Sequence, residues 1–301
     1  MKYQKLFRQF LLPFLALLFS SCSSTEALKT LDANEITLIG KSCKELIQGQ
    51  IDAWASKDPK NLRLIYTDDI VHFDGKPLFV GIDAVVRMAE DMYTYFPNWQ
   101  MKAGETYISK DECVGTWVNW NVFSFTQDHP GLEFDFLTTR DSKISFWRLF
   151  YDQNFHRAFG NKDRVDDNFL LQFASSWSSG NAGKVVRMYA QDAELEDGLF
   201  GISIIGKQAI REYANSFFAK SPKAKWELIY PFAESEVASS FKEQYPFASQ
   251  GGIFSISVND IEGNPCEIRV VVILTPNEHG KILTQKTFYE SNMLLTCGWA
   301  R

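Results

Sequence analysis

The stretch YTDDIVHFDG (66–75) gathers the side chains of this sequence best suited to acid–base chemistry. In an extended chain alternate residues share a face, so Ile70, His72 and Asp74 line one side and Val71 and Phe73 the other. A carboxylate set among apolar groups has a raised pKa and can move a proton next to a carbonyl. That makes Asp74 the candidate general base. His72, one pleat away, is placed to orient it or to act as a second base. Asp74-Gly75 is also what a tight turn requires whatever the function, and both readings stand at this level.

Aromatic residues are abundant, with 25 Phe, 11 Tyr and 8 Trp. Trp117, Trp120, Phe123 and Phe125 fall in a strand-like run over 113–125, with Trp117 on the face of Asn119 and Phe123, so Trp117 is a candidate wall of a ligand site. His129, His156 and His279 lie beside loop or inter-domain residues without metal-ligand spacing, and no GxSxG, Walker or GxGxxG string occurs. No metal and no cofactor are expected.

The elements that must hold these groups occur twice. WASKD (54–58) returns as WSSGN (177–181), and Tyr66 as Tyr189. YTDDIVHFDG (66–75) aligns with YAQDAELEDG (189–198), GIDAVVRM (81–88) with GKQAIREY (206–213), and KISFWRLFYD (143–152) with KILTQKTFYE (281–290). The growing offset places insertions chiefly in 231–251. Each copy reads as a helix with an apolar stripe (Leu46, Ile47, Ile51, Trp54; Leu170, Phe173, Ala174, Trp177), a second helix capped by Asp58 or Asn181, a short strand and a third helix after Gly81 or Gly206. Strand-like runs follow at 113–125, 132–139 and 143–151, and at 225–230, 252–260, 266–275 and 281–289. Helices followed by an antiparallel meander make an α+β pattern, whose sheet curls around its helices.

In this order of motifs, up to the aromatic-proline pair (Tyr95-Phe96-Pro97) and the closing KISFWRLFYD, the chain resembles the SnoaL-like members of the nuclear transport factor 2-like superfamily. That group includes ketosteroid isomerases, polyketide cyclases and limonene epoxide hydrolases. The resemblance covers 39–155 and, more loosely, 163–293. It implies two tandem cone-shaped α+β barrels, each with three N-terminal helices packed on a curved antiparallel sheet. It also implies sheets that pair within the chain or in a homodimer. Asp74 matches the proton-shuttling aspartate of the isomerases, and Asp197 keeps its spacing. The hydrogen-bonding tyrosine of their first helix falls at Gln50, which still donates, and at Phe173, which does not. Leu195 replaces His72 in the second copy, which is therefore the one expected to be plugged. Asp135 lies near the strand where the isomerases keep a protonated acid, although Phe134 and Phe136 compete as the inward face. Gln50, Trp54, Asp74 and Trp117 form the expected ligand set, with Asp74 and His72 as the catalytic pair.

The N-terminus reads as an address. Lys2, Lys5 and Arg8 precede the apolar run Phe10–Phe19, which is too short to span a bilayer and fits a cleaved signal over 1–21. FSSC resembles a lipobox, with Cys22 as the lipidated residue and 22–38 as a tether. Ser23 follows it where an aspartate would retain an enteric lipoprotein at the inner membrane. Attachment is expected through the anchor alone, in a bacterial cell envelope, at an outer membrane with the protein on its periplasmic or surface face. The net charge of −6 argues against nucleic acid as a partner. Export permits disulfides, yet Cys43, Cys113, Cys266 and Cys297 show no regular spacing and read as buried free thiols. The expected function is binding of a small apolar ligand in the first domain. The alternatives are an isomerase-, cyclase- or hydrolase-type enzyme with Asp74 as base, or a non-catalytic interaction module.

Overall fold

A computed structural model describes residues 33–74, 78–109, 112–158, 165–200, 202–234, 249–260 and 262–297. The signal segment, Cys22 and the tether as far as residue 32 lie outside the described residues, as does most of the inserted stretch, 235–248.

The first half begins with helix α1 (Ala33–Ala55), whose buried stripe runs from Ile36 through Cys43, Ile47 and Gln50 to Trp54. Because Ile36 is fully buried, residues 33–38 belong to this helix and not to a tether. Helix α2 (Pro59–Ile65) is capped by Asp58, whose carboxylate accepts from the Lys60 amide at 3.0 Å. Strands β1 (Tyr66–Phe73) and β2 (Leu78–Val80) form a hairpin, and α3 (Ile82–Tyr95) starts at Gly81, held at φ 82°. Four strands follow: β3 (Gln100–Ile108), β4 (Glu112–Trp120), β5 (Gly131–Arg140) and β6 (Lys143–Tyr151). Helix α4 (Gln153–Ala158) closes the half.

The second half runs through the same order. It comprises α5 (Asp167–Ser178), α6 (Ala182–Arg187), β7 (Tyr189–Asp197), β8 (Ile202–Ile205) and α7 (Lys207–Lys220). Then come β9 (Lys225–Glu234), β10 (Gln250–Asn259), β11 (Pro265–Pro276), β12 (Ile282–Tyr289) and α8 (Ser291–Thr296). Asn181 caps α6 as Asp58 caps α2.

The strand path β11-β10-β9-β6-β5-β4-β3-β12 returns from β12 to β11, so eight strands close into a flattened ring. Its seams are narrow. Phe150 and Tyr151 pair with Glu234 and Ala233, and Tyr289 pairs with Ile108. Inside the ring the two sheets meet face to face through rings, with Phe134 stacked on Phe232 at 4.2 Å and Phe136 edge-on to Phe288 at 5.6 Å. Each sheet packs its other face on the helices of its own half. The pairing of halves is therefore intramolecular, and it covers the sheet face through which a homodimer was the other expectation. At the β6–β9 seam Arg148 pairs with Glu234 and donates to Ser249 at 3.0 Å, while Tyr230 donates to Asp152 at 2.8 Å.

Three expectations are corrected. The four cysteines are not free thiols: Cys43 is bonded to Cys113 and Cys266 to Cys297, each pair with Cα atoms 5.8 Å apart. The first bond pins α1 to β4 across 70 residues of chain, a juxtaposition that spacing alone does not reveal. The run 113–125 is not one strand. It stops at Trp120, and Asn121 (φ 59°) and Phe123 (φ 51°) turn the chain back, which takes Phe123 off the face of Trp117. Strand β3 was not anticipated, because most of its side chains are partly exposed and QMKAGETYI carries little apolar alternation.

Candidate functional site

Both faces of β5 are buried, and its register settles which one looks into the helix-filled interior of the first half. Phe134 and Phe136 point between the sheets; Glu133, Asp135 and Leu137 point toward the helices. Asp135 is fully buried. Gln50 on α1 reaches it, donating from Nε2 to Oδ2 at 3.1 Å and to the Tyr66 hydroxyl at 3.0 Å. The Trp54 indole N–H donates to the same hydroxyl at 2.9 Å. On the other side Asn119 of β4 donates to Glu133 at 3.4 Å and accepts from the Trp99 indole at 3.1 Å. At the rim Tyr151 donates to half-buried Asp74 at 2.7 Å.

Among the described residues no cation is paired with Glu133 or Asp135, and burial sets their electrostatics. Burial first, then the charges of Asp135 and Asp74, hold the Glu133 pKa well above the usual carboxylate range. Burial pushes Asp135 up to about 7, partly offset by the Trp147, Glu133 and Gln50 side chains. Two acids two residues apart on one strand face share their protons and titrate as a pair. His72 is fully enclosed, with its ring 3.9 Å from that of Trp147 and 5.4 Å from that of Phe79. Burial drops its pKa to about 3, so it is neutral at physiological pH. Among the described residues neither ring nitrogen of His72 has a hydrogen-bond partner.

Of the four expected ligand residues, three lie near one another and Asp74 stands apart at the rim. Gln50, Trp54 and Trp117 meet around Trp147, which lies 5.7 Å from Trp54, 5.6 Å from Tyr66 and 6.3 Å from Trp117, centroid to centroid. Several polar atoms of this group have no hydrogen-bond partner among the described residues: Gln50 Oε1, Asp135 Oδ1, both His72 ring nitrogens and the Trp117 and Trp147 indole N–H groups. Each such orphan costs about 1–3 kcal/mol. The Trp147 N–H faces Asp135 closely enough to influence its proton without a bond of good geometry. Near the end of α1 the surface carries two adjoining depressions, one of about 350 Å³ lined by Lys57, Met101 and Trp120 and one of about 600 Å³ lined by Asn98, Asn121 and Phe123. Trp99 lines both, and its bond to Asn119 joins them to the buried acids.

The second half supplies an internal control. In strand register Glu133 lies opposite Tyr151 and Asp135 opposite Leu149, whereas Val270 lies opposite Tyr289 and Val272 opposite Thr287. Likewise Trp117 and Asn119 correspond to Phe254 and Ile256. The polar set Gln50, His72, Asn119, Glu133 and Asp135 thus becomes Phe173, Leu195, Ile256, Val270 and Val272. There Phe173 packs on Trp226 at 5.7 Å and on Phe254 at 5.6 Å, filling the interior with rings. The carboxyl–tyrosine contact persists, since Tyr289 donates to buried Asp197 as Tyr151 donates to Asp74. That contact belongs to both halves alike; the buried Glu133–Asp135 pair belongs only to the first.

No family model matches the chain. No curated protein is similar to it in sequence. Among solved structures, a protein of ketosteroid isomerase-like fold from Catenulispora acidiphila, in complex with trimethylamine, is 12% identical, with 45% of this chain covering 95% of that one at a TM-score of 0.35. A polyketide cyclase-type protein from Sinorhizobium meliloti is 16% identical, over 35% of this chain and 93% of its own, at 0.32. The epoxide hydrolase/cyclase-like enzyme SalBIII, of pyran ring formation in salinomycin, is 19% identical, over 42% and 91%, at 0.34. Each is spanned almost whole by less than half of this chain.

Glu133, Asn119, Trp147 and Tyr151 were not recognised from sequence. The signal was present in the alternation of Glu133-Phe134-Asp135-Phe136, which separates two faces without saying which one meets the helices.

Proposed function

We propose that the first half binds a small, mainly apolar molecule with a hydrogen-bonding end, in the interior bounded by Gln50, Trp54, Trp117, Glu133 and Asp135. The observation that carries this reading is the replacement of five buried polar residues by apolar ones in the second half, within the same order of elements. A fold of this kind is stable without those groups, and buried polar atoms without partners are costly. Their presence in one half is the mark of a site. The SnoaL-like resemblance in sequence agrees with it, while the second half serves as packing support.

The test is a thermal-shift screen of small apolar amines, ketones and acids on the parent and on Asp135→Asn. Ligands should raise the melting temperature of the parent by several degrees, and the variant should lose at least half of the shift. An Asp135→Asn protein that responds like the parent would refute the assignment.

Acid–base chemistry on the bound molecule is a second reading, favoured by carboxyls that hold protons near neutral pH. Here the Glu133–Asp135 pair is the proton store, and Asp74, oriented by Tyr151, stands at the rim as base. His72 stays neutral and has a packing role.

We also propose the envelope location, with Cys22 as the lipid-bearing residue. All four cysteines after Cys22 are in disulfides, which form and persist in oxidising compartments outside the cytosol. Detergent-phase partitioning of cells expressing the full chain checks it: the parent should enter the detergent phase and Cys22→Ser should remain in the aqueous phase.

A further inference from the structure

We infer that the molecule taken up by the first half carries a positive charge, as an alkylammonium group held between the Glu133–Asp135 carboxyls and the surrounding indole rings. This rests on the reading that the interior takes a small molecule, and it adds the chemical class.

Three observations converge. First, the acids lack a counter-charge. Among the described residues no Lys or Arg is paired with Glu133 or Asp135, and two cations of the first half are engaged elsewhere. Arg148 pairs with Glu234 and lies over the Phe73 and Phe150 rings, and the Lys57 ammonium is bonded to the Pro97 carbonyl. Buried carboxyls without a cation stay protonated or destabilise the fold, and the second half shows that valine satisfies this fold at both places. Second, the unmet acceptors sit together. Gln50 and Asp135 are bonded to each other at 3.1 Å, and each keeps one oxygen, Oε1 and Oδ1, without a donor. The positive charge of an alkylammonium group offsets what two neighbouring oxygens lack, whereas a ketone brings only another acceptor. Third, the walls are aromatic. Trp54 is edge-on to Trp99 at 5.8 Å and to Trp147 at 5.7 Å, while Trp147 stacks on Tyr66 and Trp117. Indole faces around carboxyls are the surroundings in which a methylated ammonium exchanges water for cation–π contacts.

The groups facing this position are few. Strand β1 contributes Tyr66 and His72, with Asp74 following it; β5 contributes Glu133 and Asp135; β6 contributes Tyr151. Helix α1 contributes Gln50 and Trp54 and no charge. Burial raises both tyrosines and keeps His72 neutral. Between pH 5 and pH 8 the Glu133–Asp135 pair therefore gives up protons. A bound cation favours the ionised pair, so its affinity should rise with pH.

The experiment follows tryptophan fluorescence during titration with choline and with its neutral carbon isostere, dimethylbutanol. Choline does not titrate, so any pH dependence belongs to the protein. We expect choline to bind at least tenfold more tightly than the isostere at pH 8, with at least a fivefold loss at pH 5. A Glu133→Gln/Asp135→Asn variant should abolish that preference while still binding the isostere, which also reports that it is folded. Should the variant fail to fold, the pH series on the parent decides alone. Equal affinity for choline and the isostere, or an affinity for choline that falls with pH, would overturn the charge inference and leave the small-molecule site standing. If neither probe binds and the wider screen is also empty, both readings fall.

Discussion

A Glu133→Val/Asp135→Val variant, copying Val270 and Val272, is expected to be more stable than the parent at pH 8 by on the order of 3 kcal/mol, and to bind nothing. The folded state holds the Asp135 proton up to about pH 7, against an ordinary value of 3.8. A carboxyl whose folded pKa is raised binds more protons folded than unfolded. Stability therefore falls as pH rises through the interval from about 4 to about 7, and the whole loss is present above it. At about 1.4 kcal/mol for each pH unit, this interval corresponds to roughly 4 kcal/mol. The variant strands one donor each on Gln50 and Asn119, costing about 1 kcal/mol apiece, and removes the Asp135 Oδ1 orphan, which gives about 1 kcal/mol back. Burial likewise pushes Asp197 up to about 7, but it contributes the same slope to both proteins, so their difference isolates the first-half pair. Urea unfolding at pH 5 and pH 8 checks this. The gap between variant and parent should widen toward pH 8, and a variant less stable than the parent at pH 8 would sink the account. Gained stability with lost binding is the trade expected of residues retained for a ligand.

Breaking the Cys43–Cys113 bond should cost about 4 kcal/mol, because a closed loop of that size removes this much chain entropy from the unfolded state. The Cys266–Cys297 bond closes 31 residues and should be worth slightly less. The first has a consequence beyond stability. Helix α1 carries Cys43, Gln50 and Trp54 on one face, so the bond that docks it on β4 also sets how Gln50 meets Asp135. A Cys43→Ala/Cys113→Ala variant should therefore unfold at lower urea and lose ligand affinity, while Cys266→Ala/Cys297→Ala should lose stability with affinity largely kept. Unfolding with and without reductant measures the first effect; a midpoint indifferent to reductant would show that the bonds do not hold the native protein.

Local chemistry was legible in the sequence wherever its cause is local. Asp58 and Asn181 announce helix starts because a short polar side chain caps the amides just beyond it. The stripes of α1 and α5 announce buried faces because helical residues three and four apart lie side by side. Asp74, Gln50, Trp54 and Trp117 were picked out and do gather in one half. A histidine beside an acid in sequence looks active, and its enclosure by Trp147 and Phe79 is a fact that only packing supplies. Glu133 was passed over because a strand with apolar residues on alternate positions leaves the acids on what looks like the wet side.

The sequence by itself determined an α+β chain whose order of motifs runs twice, and a second run that lacks the histidine and glutamine of the first. Only the tertiary structure decided where the chemistry lies. The eight strands close into one ring, so the face of each sheet inside the ring is buried against the other sheet and its opposite face against helices. With both faces of β5 dry, alternation cannot say which is the interior, and it took the packing of Phe134 on Phe232 to turn Glu133 and Asp135 toward Gln50.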